Sequence, residues 1–370
     1  MAHSDSAVAR IPIEIWYTIL DHVIDAPEYF DATCEGSFFD FWQSAKDSEP
    51  FLQSEAYLEK IKKVCRSWER FALERAHRLV DVTFPSRHPL EVVRRAHAAK
   101  IKGCNYSALE CHTLWRRVNI AIGTGAQAKA LTHLVENSSR HPYIRRIYIT
   151  HELQNTEYLA SLGCFGHITL LSFASRLSTS SSPHLSKQVT LGRVEVLIWE
   201  TWGDVLKPST FFHLPSLRHL ALIGSYLDPL SLAAAFKDTL VSLYNGGSPY
   251  GNRYQASGLI GFPKLEEFAT DGYIDATNFP SCRTLPTLAR MYLDGFIDWN
   301  LGEIRRMLAS GLHGSFTLRA GFSWGTDGRI GYLRDGVTRL DVDDVVKSCE
   351  KQGIKFVDSA GNMCPVGRVG

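Results

Sequence analysis

The chain reads as an α/β protein in which an N-terminal helical module precedes a solenoid of short strands stacked into one parallel sheet. Three observations predict this class. Leucine is concentrated in the middle of the chain, with 10 in residues 1–140, 24 in 141–300 and 6 in the last 70. In that dense region an apolar-x-x-apolar-x-apolar pattern recurs with a period near 24 residues, the mark of a stacked repeat. Ahead of it, apolar residues recur at three and four positions, the period of amphipathic helices.

The first helix is expected from Pro12 to about Ile24. Ile15, Ile19, Leu20, Val23 and Ile24 share one face, and Pro12 suits a first turn whose N–H has no partner in any case. Glu14 lies near the positive end of the helix dipole, and Asp25-Ala26-Pro27 ends the helix. A second helical pattern runs from about Glu55 to Arg78. It carries Leu58, Ile61, Val64, Cys65, Trp68 and Ala72 on one side and mainly Lys60, Lys62, Lys63, Glu69 and Arg70 on the other. Between them lies a stretch rich in Asp, Glu, Ser and Phe. Its Phe38-Phe39-Asp40-Phe41-Trp42 cluster is expected as a short helix packed back on the module, or else as a partner-binding element.

The repeats begin clearly at Ile144-x-x-Ile147-x-Ile149 and continue at Ile168, Val194, Leu217, Leu265 and Leu288, with start-to-start gaps of 24, 26, 23, 48 and 23. The gap of 48 spans two periods, and Leu240-x-x-Leu243-x-Asn245 falls inside it. Pro-containing turns lead into three of the strands, at Leu214-Pro215-Ser216-Leu217, Phe262-Pro263-Lys264-Leu265 and Leu285-Pro286-Thr287-Leu288. Alternation puts one side of each strand into a core that no single repeat can close, so successive strands must stack. Two polar, turn-rich stretches interrupt the array, at Ser175–Ser186 and Asn245–Gly258.

Composition excludes several functions. The 40 Lys+Arg and 39 Asp+Glu leave a formal net charge of +1, and 45% of the 370 residues are hydrophobic. This argues against global disorder and against a polybasic nucleic-acid binder, so neither is expected. No apolar run approaches the roughly 18 residues of a membrane span. Asp5, Arg10 and Glu14 interrupt the N-terminal stretch where a signal peptide needs an unbroken apolar run, so no membrane and no secretion are expected. The eight cysteines form no C-x-x-C pair, and Cys104, Cys111 and His112 match no familiar zinc module. Reduced thiols in the cytosol or nucleus, with no metal, are the expectation.

Three landmarks in the N-terminal region carry a family resemblance. Ile11-Pro12-x-Glu14-Ile15, then Val64-Cys65-Arg66-Ser67-Trp68, then Arg75-Ala76-His77-Arg78-Leu79-Val80-Asp81-Val82 resemble, in this order, an F-box of the kind common in fungal proteins. The array over roughly residues 118–340 resembles irregular leucine-rich repeats. The positions where that family places an Asn after each strand hold Glu152, Ser225, Tyr273 and Phe296 here, so a uniform convex side is not expected. The resemblance implies residues 1–85 as an F-box-like helical domain with an insertion at about 27–52. It also implies residues 86–370 as a leucine-rich-repeat-like domain, clearest at 144–294. One departure is the 52 positions separating Pro12 from Val64, where the usual F-box has a short linker.

The function implied is the substrate-recognition subunit of a cullin-RING (SCF-type) ubiquitin ligase. Ile11, Pro12, Ile15, Ile19, Val64, Cys65 and Trp68 would dock onto a Skp-family adaptor, and through it a cullin, while the repeats hold a target protein. Residues alternating with the buried positions are the candidates for target binding: Arg146, Tyr148, His219, Glu267, Arg290 and Tyr292, with Glu200, Asp271 and Asp294. The alternative is a leucine-rich interaction scaffold outside any ligase. A third reading, an NAD(P)-binding enzyme, rests on Val118–Ile122 followed by Gly123-Thr124-Gly125-Ala126-Gln127-Ala128 and a helix, the order of a dinucleotide-binding turn. A lone G-x-G-x-x-A is weak evidence. With no G-x-S-x-G, no H-E-x-x-H and no acid/base pair, neither catalytic residues nor a cofactor are expected.

Overall fold

The computed structural model describes residues 11–24, 37–46, 49–75, 78–83, 87–102, 106–151, 157–175, 188–201, 207–224, 228–246, 253–271, 273–275, 285, 287–293, 297–309, 317–320, 339–359 and 361–363. Glu152, Ser225, Asp294, Phe296, Cys104 and nearly all of the 175–186 stretch lie outside them.

Among the described residues four helices open the chain: α1 (Ile13–Ile24), α2 (Phe38–Lys46), α3 (Glu49–Ile61) and α4 (Arg66–Glu74). The pattern expected as one helix from Glu55 to Arg78 is two. The amides of Lys63 and Val64 turn back to the carbonyls of Lys60 and Ile61, and Cys65 is extended at φ −162° and ψ 167°. The break lets α3 and α4 touch one another, which one straight helix cannot do. Leu58 and Ile61 then meet Phe71 and Ala72 against Leu20 and Ile24 of α1 in one small core.

Among the described residues sixteen strands follow: β1 (Leu79–Val82), β2 (Ala98–Ile101), β3 (Arg117–Ile122), β4 (Arg146–His151), β5 (Leu170–Ser175), β6 (Val189–Thr190), β7 (Val196–Thr201), β8 (Phe212–His213), β9 (His219–Ile223), β10 (Ser242–Gly246), β11 (Arg253–Gln255), β12 (Glu267–Thr270), β13 (Tyr273–Asp275), β14 (Arg290–Leu293), β15 (Thr317–Ala320) and β16 (Lys355–Val357). Twelve make one sheet in the order β1-β2-β3-β4-β5-β7-β9-β10-β12-β14-β15-β16, and β6/β8 and β11/β13 form two short pairs beside it. All the ladder pairings are parallel. This is a parallel-sheet solenoid, in which each turn contributes one strand.

The repeat is visible in the register. Val80, Ala99, Val118, Ile147, Leu171, Leu197, Leu220, Leu243, Phe268, Met291, Leu318 and Phe356 stand side by side across the whole sheet. All twelve are buried in the main core. The weak repeat at Leu240 is a true strand, and the polar third positions of β10 and β12, Asn245 and Thr270, lie opposite one another. The array extends past the leucine-rich stretch on both sides, because β1 and β2 fill the ladder with Val and Ala. Helices 125–136, 297–309 and 339–351 and the 3-10 turn at 157–164 cover this face. Among the described residues no helix is long and apolar enough to cross a membrane.

Candidate functional site

The opposite face of the sheet presents two rows in register. One runs Arg146, Leu170, Val196, His219, Ser242, Glu267, Arg290, and the other Tyr148, Ser172, Ile198, Ala221, Tyr244, Ala269, Tyr292, Arg319. All six principal target-binding candidates fall in these rows. The middle of the face is apolar, and α2 lies across it. Phe38, Phe39, Phe41 and Trp42 are all buried, packed with Leu170, Val196, Ile198, Ala221, Ile223, Tyr244, Ala269 and Tyr292. The aromatic cluster is therefore a helix, as expected, but it packs on the repeat sheet and not on the helical module. The reason is area: the small α1/α3/α4 core is closed by its own side chains, whereas the sheet face offers an uncovered apolar strip.

A cap locates α2 on that strip. The first amides of a helix have no partner within it. The Asp40 amide donates to the Ser37 hydroxyl at 3.2 Å, and the Phe41 amide to the Ser37 carbonyl at 3.1 Å. The remaining two, of Phe38 and Phe39, donate to the carboxylate of Glu267 at 3.2 and 2.6 Å. The Ser37 hydroxyl also donates to Glu267 at 3.2 Å and accepts from the Tyr292 hydroxyl at 3.1 Å. Arg290 Nε stands 3.3 Å from the same carboxylate. One buried acid on the repeat sheet thus completes the N-terminus of a helix some 230 residues earlier in the chain.

The remaining candidates grip the side chains of α2. The His219 ring stacks on Phe38 at 5.2 Å, Tyr292 stacks on Phe39 at 4.9 Å, and Tyr244 meets the edge of Phe39 at 5.7 Å. Arg146 lies over Phe41 at 5.2 Å. Arg319 bonds Asp40 at 2.5 Å and lies over both Phe39 and Tyr292 at 5.3 Å. Tyr148 is half-buried beneath the Arg117 guanidinium at 4.0 Å, and Glu200 and Asp271 are half-buried. Burial pushes the Glu267 carboxyl up, opposed by the amides of Phe39 and Phe38, by Arg290 and by the Ser37 hydroxyl. Burial also pulls His219 down to about 4, with Arg218 and Arg290 adding to the effect. Tyr292 is raised by burial. Tyr244 and Arg319 are missed from the sequence, as are the apolar residues of the strip. Val196-Leu197-Ile198-Trp199 is a continuous apolar run, the pattern of a strand covered on both faces.

The helical module carries a second surface. On α1, Leu20 and Ile24 are buried, whereas Ile13, Ile15, Ile19 and Val23 are 38%, 51%, 40% and 47% exposed. Val64, at the α3/α4 break, is 58% exposed, and Cys65 and Pro12 are exposed. Ile11 and Trp68 are half-buried, and Trp68 packs on Trp16 at 5.3 Å. The module is tied to the sheet by Arg78, which donates to Glu55 at 2.6 Å, to the Ser54 hydroxyl at 2.8 Å and to the Ile24 carbonyl at 2.5 Å, immediately before β1.

The G-x-G-x-x-A segment forms a capping box. Gln127 accepts from the amides of Gly123 and Thr124 at 2.8 and 3.0 Å, the donors a pyrophosphate would need. A Cβ on Gly125 would meet nothing within 4 Å, so no close backbone approach requires that glycine. Cys111 is buried and donates to the Ala108 carbonyl at 3.1 Å. Among the described residues no group of three or more His, Cys, Asp or Glu side chains is placed to hold a metal ion.

No family model matches the chain, and no curated protein matches it. A solved structure described as the crystal structure of a TLR13–ssRNA13 complex is similar at 11% identity and a TM-score of 0.36, over 76% of this chain. The match spans 37% of that chain's length, and a likeness this low bears on neither ligand nor partner.

Proposed function

We propose that this chain is a substrate-recognition subunit of a cullin-RING ubiquitin ligase, with the α1/α3/α4 module docking on a Skp-family adaptor and the repeat sheet binding a target protein. The observation that carries the adaptor half is the row Ile15, Ile19 and Val23 on α1, together with exposed Val64 at the α3/α4 break. These are large apolar side chains left in water on a module whose own core is already closed. The F-box resemblance assigns docking to this same surface, through Ile11, Pro12, Ile15, Ile19, Val64, Cys65 and Trp68. Within the insertion α2 sits on the sheet, and Ile15, Ile19 and Val23 stay exposed. Such a subunit acts by holding its target near a partner's ubiquitin-loaded enzyme, so the catalytic gain is proximity and needs no catalytic residue in this chain.

The test is a pull-down of the full chain on immobilised Skp-family adaptor, comparing wild type with Ile15→Asp plus Ile19→Asp. Retention of the wild type and loss of the variant are expected. Equal recovery of both, or of neither, would leave the non-ligase interaction scaffold as the better reading.

A further inference from the structure

We propose that the second face of the sheet is a receptor for one kind of partner segment. That segment is a short helix with a Ser or Thr cap, aromatic residues at its first, second, fourth and fifth positions and an acid at its third. Residues 37–42 fill the receptor in cis. This rests on the target-binding half of the reading above and names the chemistry of the target.

Each recognition element is a side chain of the sheet. Glu267 stands ready to take the two free amides of a helix N-terminus, the Tyr292 hydroxyl meets the capping hydroxyl, and Arg319 takes the acid of the third position. His219, Tyr244 and Tyr292 face aromatic rings, with Val196, Ile198 and Ala221 forming the strip between them. None of these groups serves the main core, which lies on the other face. Buried polar groups matched to one ligand discriminate strongly against ligands that leave them unpaired. A partner lacking the helix N-terminus would leave Glu267 with Arg290 alone, and one lacking the acid would leave Arg319 with only the Ser359 carbonyl.

The cis segment is tethered at both ends, by α1 and α3. Such a tether holds it at an effective concentration of order millimolar. A separate peptide is therefore excluded from the wild-type chain in proportion to the occupied fraction, and gains the face when the cis helix is weakened.

The experiment uses a fluorescent peptide spanning residues 36–47, added to the full chain and to a Phe38→Ala, Phe39→Ala, Trp42→Ala variant. Saturable binding to the variant, at least about tenfold tighter than to wild type, is expected. Placing Glu267→Gln in the variant weakens that binding, as does Phe39→Ser plus Asp40→Lys in the peptide. Absence of saturable binding to a variant that still unfolds cooperatively, or equal binding to both chains, or indifference to the peptide changes, would overturn the proposal. If the variant does not fold, the wild-type chain supplies the readout. Unlabelled peptide at about 1 mM should speed amide exchange at Phe38–Trp42, and no change would overturn the proposal. The readout uses neither adaptor nor target, so its failure leaves adaptor docking standing, and failure of the adaptor pull-down leaves the peptide result standing.

Discussion

Helices α1 and α2 come from the same N-terminal stretch, and both are short and amphipathic, yet one keeps an apolar row in water and the other keeps none. On α1, Ile15, Ile19 and Val23 are 40–51% exposed, whereas the four aromatic residues of α2 are 1–8% exposed. The difference lies in what else the fold provides. The inner face of α1, Leu20 and Ile24, is satisfied by Leu58, Ile61, Phe71 and Ala72 of α3 and α4, and its outer row stays half in water. The face of α2 finds a strip of apolar strand residues and a carboxylate placed for its N-terminus. Four buried aromatics contribute roughly 6–12 kcal/mol toward docking, opposed by the entropy of ordering the segment, and the charge-assisted bonds to Glu267 add to the favourable side. A segment held this way can leave. A side chain of the main core cannot.

The contrast can be broken at several points. Phe39→Ala removes the ring stacked on Tyr292 and should cost about 3 kcal/mol of docking, read as roughly 100-fold faster amide exchange across 38–46. Glu267→Gln keeps the shape but removes the charge, and should cost about 2 kcal/mol, roughly 30-fold in the same exchange. Acid should act through His219. Its folded value of about 4 lies below its ordinary 6.5, so the unfolded chain binds more protons between them. Stability is then fully present above pH 6.5 and lost as pH falls toward 4, by up to about 1.4 kcal/mol per pH unit. His141 and His167 are lowered by burial as well, so His219→Gln should flatten the thermal-stability profile over this range without levelling it. Smallest is Ile15→Asp plus Ile19→Asp, which should change stability by less than about 0.5 kcal/mol while abolishing adaptor retention. A large loss of melting temperature in that variant would show that the row belongs to the fold.

Much of this was legible in the amino-acid order. Strand positions from Ile144 to Leu293 follow from alternation and a period near 24, because one face of each strand must meet its neighbours in register. The six target-binding candidates follow from the same alternation. What alternation could not supply is the cover over them. Whether a strand face meets water or another segment depends on a contact between residues 37–42 and 146–319, and nothing local to either stretch encodes it. The clue lay in Val196-Leu197-Ile198-Trp199, apolar on both sides. The split between α3 and α4 was illegible for a related reason. Lys62, Lys63, Val64 and Cys65 include no Gly or Pro, and the break is imposed by packing around α1.

That α2 closes the second face of the sheet is tested most directly by amide exchange on the intact chain. The Phe38 and Phe39 amides, bonded to Glu267, should exchange at least about 100-fold more slowly than in the free peptide, and Glu267→Gln should release them. Exchange of residues 38–46 at the free-peptide rate, with β7 and β9 still protected, would contradict it.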